Sequence, residues 1–280
     1  MFSKKTILTV FCAAMLIFGA ATARAEEKAA PAPVSPQSAG PALDPRALET
    51  LKRMSDTLTR AKSMRFEARS LKPVQSPDGL WVSLCGTSRV VKEGPGKLFT
   101  ETRGDLFRFD LYFNGKTIAA YSPEKNLYAE KAMAGTVEDL IEEAYRTEGK
   151  SFPYSDILVS DPYGVLTQGL VRAVFVGQST LRPLSGAESV KTDHLAFSNR
   201  GVEWQIWIGT EDRLPRMVCA TYPGNAGEPS STVEFGGWTL DEPVSPETFT
   251  YRNASQATKV EFRNPMQQGR GVPPAAAVQQ

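Results

Sequence analysis

The chain reads as an α+β protein built on an antiparallel β-sheet. Strand-like alternation of apolar and polar residues recurs through most of its length. Turn residues separate the alternating runs at short intervals, and few amphipathic helical stretches interrupt them.

The first helix is expected after Asp44, a capping residue, with Pro45 in a first turn where a missing N–H costs nothing. Leu48, Leu51, Met54, Leu58 and Ala61 recur at helical spacing and give it one apolar face. Met64 to Arg69 alternates cleanly as a strand. Leu80 to Val91 is a longer one, in which Gly86 suggests a bulge or bend. Lys97 to Thr102 follows the turn Gly94-Pro95-Gly96. Phe107, Phe109, Leu111 and Phe113 then share one strand face, with Arg108, Asp110 and Tyr112 on the other. Asn114-Gly115 predicts a tight hairpin turn back into Lys116 to Tyr121, and Leu127 to Lys131 follows. Thr136 can cap a helix whose stripe is Val137, Leu140, Ile141, Ala144 and Tyr145. Pro153 to Tyr163 carries capping and turn residues and suggests a short helix. A second run of strands covers Gln168 to Leu181, His194 to Phe197, Val202 to Ile208, Arg216 to Tyr222 and Thr232 to Leu240. A helical turn at Pro246 to Phe249 precedes Val260 to Arg263.

Both ends of the sequence differ in character from this middle. Lys4 and Lys5, an apolar run from Ile7 to Ala20 and Ala23-Arg24-Ala25 predict a secretory signal peptide over 1–25. That run is short for a membrane span, and no second apolar stretch approaches spanning length. Residues 26–43 read as a flexible Ala/Pro-rich linker, and 264–280 as a disordered tail. Between them, 44–263 has the size of one β-rich domain. The mature chain is expected to be soluble and exported.

With 32 basic and 31 acidic residues the chain is close to neutral. Neutrality argues against a nucleic-acid partner, whose recognition needs a basic surface. Two cysteines, Cys85 and Cys219, remain after signal cleavage. Two readings stand for them: a disulfide in an oxidising compartment, or two separate thiols.

Chemistry-bearing motifs are sparse. His194, the only histidine, follows Asp193, but neighbours in a strand point to opposite faces, so Asp193 does not orient the imidazole. One histidine and two remote cysteines do not make a zinc set, and neither a nucleophile elbow nor a phosphate loop is present. No catalytic residue, metal or cofactor is therefore assigned. A hydrolase using His194 is the weakest of three functional readings. The apolar faces at Phe107, Phe109, Leu111, Phe113, Trp204 and Ile206 suit either the wall of a ligand cavity or a filled core. Trp81 and Trp238 suit packing, and Arg216 a solvated strand entrance.

The run Asp193-His194-Leu195-Ala196-Phe197, then Val202-Glu203-Trp204-Gln205-Ile206-Trp207-Ile208, then Leu214-Pro215-Arg216 resembles a family of predicted bacterial periplasmic proteins of unknown function. Phe113 to Thr117, Tyr121 to Glu124, Asn126 to Ala129, Pro153 to Leu158 and Ser160 to Tyr163 resemble it too, so the likeness spans roughly Asp44 to Glu261. The chain departs from the family at Thr192, where relatives often carry a cysteine. The resemblance implies the fold of the lipoprotein carriers LolA and LolB: a strongly curved antiparallel sheet, an unclosed barrel, with helices over its concave face. Such folds serve as carriers of acyl chains or lipoproteins, and as the lipid-sensing part of regulators similar to RseB. The expected function is non-enzymatic binding of an apolar or amphipathic ligand, a lipid or an acylated peptide. Its walls would be the residues named above, and Leu140, Ile141 and Ala144 a movable lid. The second reading is an envelope protein-protein interaction or stress-sensor module with a filled core.

Overall fold

The computed structural model describes residues 42–105, 108–148, 154–182, 188–224 and 227–262. The expected signal peptide, most of the linker and the tail lie outside these. Helix α1 (Pro45–Arg60) starts where its sequence places it: the Asp44 carboxylate accepts from the Arg46 N–H at 2.8 Å. Its buried residues Ala47, Leu51, Met54, Ser55 and Leu58 form one stripe.

Six strands follow: β1 (Ser63–Gln75), β2 (Trp81–Glu93), β3 (Lys97–Gly104), β4 (Arg108–Phe113), β5 (Thr117–Ser122) and β6 (Leu127–Ala132). Helix α2 (Val137–Glu148), a 3-10 turn (Ser155–Ile157) and the short helix α3 (Pro162–Leu166) come next. The second half holds β7 (Leu170–Leu181), β8 (Val190–Asn199), β9 (Val202–Gly209), β10 (Pro215–Thr221) and β11 (Ser230–Leu240). A 3-10 turn (Pro246–Phe249) and the two-residue strand β12 (Thr258–Lys259) complete the domain.

All twelve strands share one sheet, in the order β12-β6-β5-β4-β3-β2-β1-β11-β10-β9-β8-β7. The pairing of β1 with β11, Ala68 opposite Phe235, joins the two meanders. Every pairing is antiparallel except β12 on β6. The sheet does not close, and its concave face carries the helices. Both edges are touched by flanking segments. Ala173 on β7 donates to the Ala42 carbonyl at 2.9 Å and accepts from the Asp44 N–H at 3.0 Å. On the other side, Thr258 and Lys259 run parallel to Leu127 and Tyr128.

Several boundaries differ from the sequence expectation for physical reasons. β1 continues past Arg69 to Gln75, because β2 supplies a partner for each of its residues as far as Trp81. Beyond Leu71, β1 has no partner on its β11 side, so Pro73 leaves no ladder bond broken there. The register through Gly86 is unbroken on both sides, and the register shifts fall at Arg65/Glu67, Leu170/Arg172, Phe175/Gly177 and Pro215/Met217 instead. The close approach there belongs to Gly104, where a Cβ would come within 2.8 Å of the Gly86 Cα and 2.6 Å of the Cys85 carbonyl oxygen. The Asn114-Gly115 turn forms as expected, with Asn114 Oδ1 accepting from the Lys116 and Thr117 N–H groups at 3.0 and 2.9 Å. The strand expected over Val260 to Arg263 is instead Thr258–Lys259.

Two hydrophobic clusters lie on opposite sides of the sheet. The larger fills the concave side, where Phe66, Val90, Phe113, Leu195, Ile206 and Phe235 meet the α1 stripe. The smaller joins Val91 and Phe99, on the convex face, to Val244 and Phe249. It fastens the segment after β11 across β3 and β4. Beyond it Tyr251 sits 5.6, 5.2 and 5.0 Å from the rings of Tyr112, Tyr121 and Tyr128. Burial, helped by the nearby Asp110, pushes the Tyr112 phenol up to about 12.

Candidate functional site

Alternation decides what lines the concave layer. Phe109, Leu111 and Phe113 on β4 and Trp204 and Ile206 on β9 face inward, as their spacing predicts. Phe113 is fully buried, and Trp204 stacks on Phe197 at 4.3 Å while its Nε1–H donates to Asn199 Oδ1 at 2.7 Å. On α2, Leu140 is buried and Ile141 packs against the same cluster, whereas Ala144 is half-buried. Seven of the expected wall and lid residues therefore come together: Leu111, Phe113, Leu140, Trp204 and Ile206 inside the cluster, with Phe109 and Ile141 against it. Phe107 and the Tyr145 side chain lie outside the described residues.

A reciprocal cap holds the start of α2. Thr136 Oγ1 accepts from the Asp139 N–H at 3.2 Å, and Asp139 Oδ2 accepts from the Thr136 N–H at 2.7 Å. Those bonds hold the Asp139 carboxyl below the usual carboxylate range. Two lysines of the concave face reach toward the helix. Lys131 Nζ lies 3.9 Å from Glu143 Oε1. Burial pushes the Lys92 ammonium down, and Glu138 partly offsets this.

A set of hydroxyls on the same face was not singled out in the sequence. Ser88 Oγ and Thr102 Oγ1 lie 3.1 Å apart, Thr100 is buried beside them, and the buried Tyr154 covers all three. The signal was present but faint: Ser88, Thr100 and Thr102 occupy inward positions where the alternation calls for apolar side chains.

His194 lies on the opposite, convex face. Its ring stacks on Trp207 at 4.0 Å and 11°, and Nε2 is 2.9 Å from Gln205 Oε1. Asp193 points the other way and accepts from Gln178 Nε2 at 2.9 Å. An amide is neither nucleophile nor general base, so this pairing gives the hydrolase reading no support. Arg216 is a loop clamp, paired with Asp212 and donating to the Leu214 carbonyl at 3.2 Å. Trp238 packs, stacked on Phe66 at 4.4 Å, while Trp81 is exposed. Thr192 is fully buried, its hydroxyl 2.9 Å from that of Ser179.

The possible Cys85–Cys219 disulfide is corrected by the register. Cys85 lies opposite Leu71, Leu71 opposite Thr232, and Thr232 opposite Cys219. Three inter-strand spacings put the two thiols about 14 Å apart, whereas a bridge needs Cα atoms within roughly 7 Å. Both are free thiols, Cys85 exposed and Cys219 half-buried. Thiol titration of the folded protein should label Cys85 quickly and Cys219 slowly, and Cys85→Ser should shift stability by under about 0.5 kcal/mol. Recovery of a Cys85–Cys219 linked peptide after non-reducing digestion would overturn this.

Two open clefts are present. One of about 430 Å³ is bounded by Cys85, Arg103, Asp105 and Arg108. Another of about 220 Å³ lies between α1 and β7, where Arg46, Arg53, Phe175 and Asp193 meet. Neither is walled by the expected ligand-contact residues. Among the described residues no group of three or more His, Cys, Asp and Glu side chains is placed to hold a metal ion.

An unclosed, mostly antiparallel twelve-stranded sheet with helices over an apolar concave face defines an α+β protein of the architecture expected from the sequence. Sequence comparison then places it: the chain belongs to the predicted periplasmic protein family DUF2092, whose profile matches residues 47–263. No curated protein matches it in sequence. Solved structures show distant likeness. An uncharacterised conserved protein from Thermus thermophilus is 11% identical over 77% of this chain and 99% of its own, with a TM-score of 0.42. LprF from Mycobacterium bovis is 10% identical over 73% and 97%, with a TM-score of 0.40. The LolA superfamily protein NE2245 from Nitrosomonas europaea is 9% identical over 73% and 97%, with a TM-score of 0.33. These likenesses carry neither a ligand nor a partner over to this chain.

Proposed function

We propose that this is a periplasmic, non-enzymatic binding protein that takes up an apolar or amphipathic ligand, a lipid or an acylated peptide, between α2 and the concave face. The observation that carries the reading is an amphipathic helix laid over a broad apolar floor. Among the described side chains of α2, residues 137–144, Val137 and Leu140 are buried in the core and Ile141 is partly buried. Beneath lies a far larger apolar floor that includes Leu98, Leu111, Phe113 and Ile118.

Magnitudes favour a hydrophobic exchange. Exposing three aliphatic side chains costs roughly 1.5–3 kcal/mol each, and each buried CH₂ of a ligand returns about 0.8 kcal/mol. Roughly six to eleven methylenes therefore offset exposure of Val137, Leu140 and Ile141. The Lys131–Glu143 pair, with both side chains about a third or more exposed, contributes under about 1 kcal/mol and does not decide the outcome.

A length threshold follows as the test. Delipidated protein titrated with fluorescent acyl probes should bind a sixteen-carbon chain and fail to hold a six-carbon one, and Leu140→Ala should tighten binding by loosening the lid. Failure to bind the long chain, or equal binding of both, would falsify the reading.

The interaction-module reading is favoured by one observation. The β1–β2 hairpin extends beyond its neighbouring strands and leaves Leu71, Leu80, Trp81 and Val82 exposed on its two faces. Under that reading Trp81→Ala abolishes capture of an envelope partner and leaves acyl-probe binding unchanged.

A further inference from the structure

The concave face changes character along its strands. At one end Leu98 lies beside Phe113, and next to them Thr100 lies opposite Leu111. Two residues further along β3, Thr102 pairs with Ser88, and beyond that Gly104 pairs with Gly86, itself opposite Ser70. The apolar floor therefore runs into a shelf of hydroxyls, partly open at Ser70, Ser88 and Thr102 and buried at Thr100.

Tyr154 is the roof of this shelf. Its ring meets Phe66 edge-on at 5.8 Å, and its hydroxyl faces those of Ser88, Thr102 and Thr100. Thr100 Oγ1 is buried without completing a hydrogen bond of ordinary geometry. A sheet that served packing alone would place apolar side chains at these inward positions, because a buried hydroxyl without a full partner is destabilising.

Charge lies at the margins of the shelf. Among the described residues of β1 to β4, the cations on this face are Lys72 and Lys92. Lys92 stands four residues from Ser88, about 13 Å along the strand, but only two from Val90, the partner of Thr100, and there it faces Glu138. Lys72 stands equally far from Ala68, the residue opposite Ser88, and is exposed. Arg103 projects from the convex face, 2.7 Å from Asp110, and Arg108 projects there too, paired with Glu124.

We propose that the hydroxyl shelf of Ser88, Thr100, Thr102 and Tyr154 binds the neutral carbonyl of an ester- or amide-linked acyl chain, with the chain lying on Leu98, Leu111 and Phe113. This rests on the binding function proposed above and names its ligand class. Hydroxyls donate well to a carbonyl oxygen. A free fatty-acid carboxylate seated there would lose its water beside a lysine already facing Glu138, which is more costly than burying an ester or amide.

The test uses four sixteen-carbon probes with the same chain at pH 8: the fatty acid, its methyl ester, its N-methyl amide and a plain hydrocarbon. The ester and amide should bind at least tenfold more tightly than the carboxylate. The variant Thr100→Val/Tyr154→Phe keeps shape and removes two hydroxyls. It should lower ester and amide affinity about tenfold and leave hydrocarbon binding unchanged. Ester tighter than amide points to a glyceride source, and the reverse to an acylated peptide; either supports the shelf. Hydrocarbon binding without ester or amide preference, or a preference the double variant retains, overturns the shelf and leaves the carrier reading standing. No binding of any probe overturns both.

Discussion

Replacing Phe66 by alanine is expected to lower the unfolding free energy by about 3–5 kcal/mol. The ring is almost fully buried at the junction of β1 and β11, where the two meanders meet. It stacks on Trp238 at 4.4 Å and meets Phe235 and Tyr154 edge-on at 5.9 and 5.8 Å. Truncation therefore removes one large apolar side chain and three aromatic contacts, which add about 0.5–1.5 kcal/mol each beyond area burial. The site collapses only in part, because Arg65 and Glu67 are paired on both sides while Phe66, at the bulge between them, is paired with Val90 alone. Urea denaturation followed by far-UV circular dichroism measures the change. A loss under about 1.5 kcal/mol would show that the aromatic cluster repacks freely, contrary to its place at the seam.

Phe249→Ala is expected to act locally. Phe249 is also almost fully buried, but in the small cluster with Val91, Phe99 and Val244, and Lys97 Nζ lies 5.6 Å from its ring centroid. That cluster does not share residues with the concave core. Losing about 3 kcal/mol there should free the segment from Glu242 to Lys259 while the sheet stays folded. At about 1.4 kcal/mol per factor of ten, amide exchange in that segment should rise roughly 100-fold. Exchange in β1 and β11 should stay unchanged. Hydrogen exchange read by mass spectrometry distinguishes this from global destabilisation, which would raise exchange everywhere.

The parts of the fold that were legible in the sequence depend on neighbours along the chain. The Asp44 cap, the α1 stripe, the Asn114-Gly115 turn and the inward phase of β4 and β9 all follow from spacing of four residues or fewer. What stayed hidden is set by partners far apart. Nothing local announces that β1 pairs with β11, and without that pairing the distance between Cys85 and Cys219 is undefined. The length of β1 was hidden for the same reason, since Pro73 looks like a strand breaker until its other side is known to lack a partner. At the candidate site, the seven apolar residues were legible because strand and helix periods place them. Ser88, Thr100 and Thr102 were not, because hydroxyls at alternate positions read as an ordinary solvated face. Only the covering Tyr154, about fifty residues further on, makes them interior.

An unclosed sheet has two raw edges, and each is a template for unwanted addition of another strand. Here the protection is supplied by the domain's own flanks: Ala42 to Asp44 bond to β7 at Ala173, and Thr258–Lys259 lie along β6. The second guard depends on Phe249, since the segment that delivers β12 is fastened by that ring. A lesion there would therefore bare the β6 edge of a still-folded protein, so that loss of one convex-side contact becomes a propensity to self-associate in ordered stacks.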